Sequence, residues 1–371
     1  MYQYSFMRHA RNFSCFKLGW MLLAVWSVTA CKGPKDEAEL FDRGALLNHY
    51  ARNLIQPAHQ RFYDGVLALN NDWETYRLNP TPANLSGLKN RWQTLMGEWR
   101  LPSIFSFGPG GEEGLRKSIV EELGTFPVST AKIEQYIAAG DTTFNNFDRD
   151  SRGLFAIEYL IFVRAGELAD DLRYQAYMQA LIGHLLRESK RIRDAWESYA
   201  TTFTNNQGTD AGSSVSLLYN EFVRSFESVK NFKLGLPLGL RPGQTKPEPQ
   251  LVEGYYSGFS LNLLQSHLEA IYHVYAGTQP VANVAGPGFK DYVNSVVGGP
   301  ELVEATLAQW QKVLNAANAI PADIPLSDLV AQQHPSALAL HTELQKHTRF
   351  FKSDMSSLLG ISITFSSGDG D

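Results

Sequence analysis

Between Arg152 and Arg164 the chain reads Gly153-Leu-Phe-Ala-Ile-Glu-Tyr-Leu-Ile-Phe-Val163, an apolar run whose one charge is Glu158. A helix that is apolar on every side is expected to be buried all round. A lone carboxylate carried into such a place costs on the order of several kcal/mol unless it is paired, ligates a metal or takes up a proton. Glu158 is therefore a candidate functional residue on physical grounds. It is equally a candidate structural acid tied to an Arg, His or Tyr of another element.

Three further pairs have spacing that could do chemistry. His184 and Glu188, Glu269 and His273, and Glu343 and His347 each stand four residues apart on expected helices, so both members of a pair could reach one ion. The same spacing also makes ordinary exposed ion pairs worth about 0.3–0.5 kcal/mol. Glu188 falls between Leu185 and Ile192 on an apolar face, which makes His184 and Glu188 the weak alternative for a metal site, or an inward partner for another helix. No His-Glu-x-x-His segment marks a zinc peptidase. Gly108-Pro-Gly-Gly111 lacks the Gly-Lys-Ser/Thr of a phosphate loop, and Ser257-Gly-Phe-Ser260 does not supply a Gly-x-Ser-x-Gly elbow.

The elements that must hold these residues read as helices. From about Glu37 to Asn71, Leu47, Tyr50, Leu54, Phe62 and Leu69 recur at helical spacing, with Pro57 expected to kink or split the element. Thr81-Pro82 reads as an N-cap followed by Pro at the first helical position, ahead of Leu85, Leu88, Trp92, Leu95 and Trp99. Residues 168–204 carry Leu181, Leu185, Ile192, Trp196, Tyr199 and Phe203 on one face. Helices are expected again at about 213–231, 250–276, 301–319 and 335–359. Pro237, Pro242, Pro247 and Pro249 mark a crossover between them. Ile361 to Phe365 alternates and is expected to be a short extended piece. Together these predict an all-α protein of two helical-bundle subdomains, 38–205 and 251–371, joined by a 206–250 linker that holds one helix and the Pro-rich crossover.

Composition agrees with a large globular chain. Of 371 residues, 44% are hydrophobic, 12% aromatic and 19% charged, which excludes disorder as the main state. A net charge of −5 gives no basic field for nucleic acid. Residues 1–30 carry Arg8, Arg11 and Lys17, no acid, and then the uncharged run Leu18 to Ala30. That run is too short to span a bilayer and fits a secretory signal peptide. Val28-Thr29-Ala30-Cys31 resembles a bacterial lipobox, so Cys31 is the expected lipidated first residue, with 31–37 as a tether and membrane attachment through the lipid. Losing the three bases with the signal takes the net charge to −8. Cys15 lies in the removed part.

Several segments in order resemble imelysin-like proteins, the M75 peptidase family. Gly153-Leu-Phe155-Ala-Ile-Glu158 resembles the family's GxHxxE motif. Asn53-Leu-Ile-Gln-Pro57-Ala resembles its first-helix signature. Trp92 through Trp99, followed by Phe105-Ser-Phe107-Gly108-Pro109, resembles its spaced tryptophans and FGP. Lys233-Leu-Gly-Leu-Pro237-Leu-Gly239 and Tyr256-Ser257-Gly-Phe-Ser260 resemble its central crossover, and Leu359 to Phe365 with Gly368-Asp-Gly-Asp371 its C-terminal signature.

The resemblance implies two helical subdomains with the motif helix facing a cleft. It also implies an envelope location, outer membrane included, and a link to iron or haem uptake, with iron or another divalent metal as ligand. The family is labelled a metallopeptidase. This sequence departs from its pattern at three points. The motif His falls at Phe155, the Arg between the tryptophans at Met96, and the Glu ahead of FGP at Ser103. The resemblance thus places Gly153, Phe155, Glu158, Trp99 and Ser103 at the cleft and predicts that the charge facing Glu158 is depleted. The leading expectation is a non-catalytic binding lipoprotein associated with iron or haem uptake. A metal-dependent peptidase using other ligands, and an adaptor that engages another envelope protein, stay open.

Overall fold

The first helical element, α1 (Arg43–His49), runs without a break through a π-helical turn (Tyr50–Ile55) into α2 (Gln56–Leu78). Pro57 is the cause. It has no N–H to donate, and the chain widens just ahead of it so that the Gln56 N–H reaches back to the carbonyl of Ala51. The expected kink is thus absorbed as a π-turn. The structure, a computed structural model, describes residues 41–365 apart from 115 and 280–282. The expected signal peptide (1–30), the tether, Cys31 and Gly368 to Asp371 lie outside the described residues.

Helix α3 (Pro82–Ile104) opens as its sequence predicts, with the Thr81 side chain accepting from the Asn84 N–H and Pro82 at its first position. Short helices α4 (Ile119–Leu123) and α5 (Thr130–Ala139) lead to α6 (Leu154–Val163), the apolar helix of Glu158, and then α7 (Ala165–Asp170) and the long α8 (Leu172–Asn205). α2 packs between α3 and α8, and α6 lies against both of those. Helix α9 (Ser214–Ser228), extended by a π-turn to Gly235, is the helix expected within the linker region, and it is buried along most of its length.

The expected helix over 250–276 begins only at Ser260, as α10 (Ser260–Ala276). Ahead of it stand one 3-10 turn of helix (Pro249–Leu251) and then turns. Gly254 and Gly258 adopt φ of 73° and 68°, a left-handed backbone that stops helix propagation. After a small hairpin, β1 (Thr278–Gln279) against β2 (Val284–Ala285), come α11 (Phe289–Asn294), α12 (Gly299–Asn318), α13 (Leu326–Ala331), α14 (Pro335–Arg349) and, after a π-turn, α15 (Met355–Leu359). The fold is all-α apart from that hairpin among the described residues. α12 packs on α14. Contacts of α3 with both α9 and α10 join the N-terminal helices to the C-terminal ones, and the residues from Phe41 onward group as one compact unit. The extended tail is held by one side chain: Asn220 of α9 donates to the Ser362 carbonyl and accepts from the Thr364 N–H at 2.7 Å. No helix among the described residues is long and apolar enough to cross a membrane.

Candidate functional site

Gly153 starts α6 with φ of 83°, and a Cβ there would stand 2.5 Å from the carbonyl oxygen of Leu123. Only glycine fits both conditions. Arg152, just before it, donates to Glu122 at 2.9 Å and to the Phe144 carbonyl at 2.8 Å, which fixes the approach to the helix. The helix is buried on all sides as its sequence requires. Phe155 packs its ring against Trp92 and Phe126, at centroid distances of 6.4 and 5.5 Å.

Glu158 is 1% exposed. Its partner is not the Arg, His or Tyr side chain that sequence reasoning considered. Oε1 accepts the backbone N–H of Ser257 at 2.7 Å, from the turn that replaces the first part of the expected 250–276 helix. Burial pushes the carboxyl up to about 7. Hydrogen bonding from Ser257 opposes that rise, and the charge of Glu253 adds to it. No ion pair reaches Glu158 among the described residues.

The expectation that charge is depleted around this wall is corrected by the structure. One turn after Met96, Arg100 is 2% exposed on the apolar face of α3. Its Nε donates to the Met96 carbonyl, and Nη1 donates to both carboxylate oxygens of Glu253 at 2.9 and 3.0 Å. Lys233 Nζ donates to the same Glu253 at 2.7 Å. Burial would raise Glu253, but the two cations outweigh it and hold the carboxyl below its usual range. Lys233 is pushed down to about 7, by burial above all, with Glu253 opposing and Arg100 adding to the fall. Arg100 engages Glu253 through two contacts and Lys233 through one. Ser103 does not replace a charge. Its hydroxyl donates to the Arg100 carbonyl within α3.

Ser103, Lys233 and Glu253 border a cleft of about 470 Å³, with Arg100 held against Glu253. Trp99 and Ser103 line it, as the resemblance implies, together with Lys233, Glu253, Ser225 and His267. Gly153, Phe155 and Glu158 are not among its lining residues, and the Phe155 ring packs against Phe126, which is one of them. Ser225 and His267 meet at 2.7 Å between Oγ and Nε2. Burial, followed by Lys233 and Arg100, holds His267 well below the usual imidazole range. Glu221, also on the cleft, is pushed up to about 7 by burial, against the opposing pull of Arg224.

In the weak alternative pair each side chain has another neighbour. Glu188 accepts from Arg191 at 2.8 Å. His184 lies beside the ring of Phe144 and is driven down to about 4 by burial and then by Arg152. His347 is enclosed by Phe226, Trp310, Phe350 and Phe351, while Glu343 holds Gln309 and Lys346. A resident iron or other divalent ion does not fit the donor set at Glu158. Phe155 offers no lone pair, and an N–H, not a second ligand, faces the carboxylate. Among the described residues no three His, Cys, Asp or Glu side chains are grouped so as to hold an ion.

A family profile described as Imelysin, peptidase M75, matches residues 55–349. The chain belongs to the imelysin family. Iron-regulated protein A of Synechococcus elongatus is 21% identical over 248 residues, covering 64% of this chain and 65% of that protein, so the match spans a little under two thirds of the relative's length. Two crystal structures share the imelysin fold. An imelysin-like protein from Psychrobacter arcticum 273-4 aligns with a TM-score of 0.71 at 17% identity, over 88% of this chain and 98% of that one. A structure described as an iron-regulated protein A precursor, from Parabacteroides distasonis, aligns with a TM-score of 0.69 at 16% identity, over 89% and 97%.

Sequence reasoning missed Arg100, Glu253, Ser225 and His267 as site residues, and quoted Lys233 only as the start of a segment. A signal for Arg100 existed. It follows Trp99 and shares a helix face with Trp92 and Met96, where a guanidinium needs a buried partner.

Proposed function

We propose that this imelysin-family chain is a lipid-anchored component of the bacterial envelope. In this reading it holds a small ligand in the Trp99–Lys233 cleft, serves iron or haem uptake, and does not cleave peptides. Residues 1–30 are the export signal, 31–37 the tether from lipidated Cys31, and the helices from residue 38 on the binding part. The relative from Synechococcus carries iron regulation in its name, and the Parabacteroides relative is described as a precursor; both support an exported protein tied to iron supply. Phe155 at the motif's His position supports loss of the metal chemistry that the family label implies.

The observation that carries the reading is that the charged groups of the cleft floor are engaged with one another. Arg100 and Lys233 are locked on Glu253. His267, beside the Ser225 hydroxyl, stands near both cations, which oppose the imidazolium a general base must become. Such a floor binds and orients, its two cations committed to Glu253 rather than to a substrate.

The purified mature chain, incubated with unfolded casein with and without chelator, is expected to release no more peptide than a buffer blank in either arm. Cleavage abolished by the chelator would refute the reading and establish a peptidase with unrecognised ligands. Fractionation of cells carrying Cys31→Ser is expected to find the protein in the soluble envelope extract, whereas the native chain sediments with membrane.

A further inference from the structure

The two long helices that meet at the centre of the fold carry a second concavity on their other side. At about 100° per residue, Gln93, Thr94 and Gly97 lie on one side of α3, and Trp99 and Ser103 on the opposite side. On α10, Asn262, Gln265, Glu269 and His273 fall together, and His267 points away from them. The α3–α10 seam therefore separates the cleft already described from a groove of about 700 Å³ closed on its third side by α12. That volume lies within the range of about 300–1,000 Å³ typical of small-ligand pockets.

The lining has a definite chemistry. Four side-chain amides, of Gln93, Asn262, Gln265 and Asn318, border the groove. An amide both donates and accepts, and so matches groups that do the same, of which the hydroxyl is the commonest. Gln265 is held in place by donating to the Ala317 carbonyl at 3.2 Å. Tyr272 and Phe259, both half-buried, offer ring surface between the amides. The Tyr272 ring is backed by Trp310 at 6.1 Å and 20°, nearly parallel, which makes a flat platform already ordered before any ligand arrives. No Lys or Arg lines the groove. Its one carboxylate, Glu269, is 71% exposed, and the adjacent His273 is held low by burial and fixed on the Thr278 hydroxyl at 2.8 Å. A phosphate or carboxylate ligand would find no cation there, and a cationic ligand only one solvated acid.

We propose that the α3–α10–α12 groove is a binding site for a neutral saccharide of two or three rings. One pyranose ring lies with its C–H face on Tyr272, and its hydroxyls are read by the amide collar. The site is distinct from the Trp99–Lys233 cleft and gives the protein a second attachment, to glycan, independent of what the cleft holds.

The test uses the mature chain and a panel of maltotriose, cellotriose and N,N′-diacetylchitobiose, with glucose 6-phosphate as the charged control, read by saturation-transfer NMR and titration calorimetry. At least one neutral sugar is expected to bind with a Kd of about 1 mM or tighter, and the phosphate more weakly. Tyr272→Ala is expected to weaken binding at least 10-fold. Since that change also loosens the Trp310 contact, Gly97→Trp provides the second arm. A Cβ at Gly97 meets nothing within 4 Å and the residue is exposed, so the indole fills the groove while the helix stays folded. Loss of sugar binding in Gly97→Trp with an unchanged melting temperature supports the site. No binding by any sugar of the panel, or binding unaffected by Gly97→Trp, overturns it. So does capture of an amphipathic helical peptide in the groove with no saccharide bound.

Discussion

Replacing Glu158 with Gln is expected to make this protein more stable at alkaline pH and to leave it nearly unchanged at acid pH. Glu158 moves from an ordinary value of 4.5 to about 7 on folding, because burial disfavours its charge. A carboxyl whose folded value is raised binds its proton more tightly when folded. Its contribution is fully present below about pH 4.5 and is lost as the pH rises through 7. The difference of about 2.5 units corresponds to about 3 kcal/mol between those limits. Gln is uncharged at every pH, and its oxygen can still accept the Ser257 N–H that now reaches Oε1 at 2.7 Å. The variant therefore lacks this loss. At pH 8.5 it is expected to exceed the native chain by up to about 3 kcal/mol, or about 5 °C in melting temperature for a chain this long. At pH 4.5 the two are expected to lie within about 1 kcal/mol. Glu221 and Lys233 also titrate near 7, so the native chain alone is uninformative. The difference between the two curves isolates Glu158. Thermal and urea unfolding at half-unit steps from pH 4.5 to 8.5 supply both. Parallel curves would show that Glu158 is unshifted on folding, and a variant less stable at pH 8.5 that it is stabilised as an anion; either result would refute the argument from desolvation.

Arg100→Met leaves Glu253 buried with Lys233 alone, and is expected to cost about 3–5 kcal/mol by urea denaturation. Gly153→Ala places a methyl 2.5 Å from the Leu123 carbonyl at φ of 83°, and at least about 2 kcal/mol of destabilisation is expected from the same measurement. Phe155→His restores the imidazole of the family motif but brings no third ligand to Glu158. Equilibrium dialysis with Zn²⁺ or Fe²⁺ is expected to find no added stoichiometric ion, and one tightly bound equivalent per chain would refute this.

The helical character of the chain, the start of α3 at Thr81-Pro82 and the burial of α6 follow from local pattern. Capping chemistry acts within four residues, and a segment apolar on all sides has one stable place to go. Glu158 was legible as a buried acid for the same reason. Pattern also places an interruption near Pro57, since the missing N–H is a property of that residue alone, whereas its form as a π-turn is seen only in the structure. The start of α10 was misjudged because Gly254 and Gly258 lie in an otherwise helix-compatible stretch, and whether a glycine adopts positive φ depends on what surrounds it. What only tertiary structure decided is which groups meet. Arg100 and Glu253 are 153 residues apart, and Ser257 and Glu158 are 99 apart. Periodicity reports which face of a helix turns inward and carries no term for the face it will touch. The sequence pattern marks Arg100 as needing a buried partner but does not name Lys233 and Glu253 as its companions. The three become a site because α3, the π-turn after α9 and the turn before α10 are packed against one another, and burial then leaves the carboxylate no partner but those two cations.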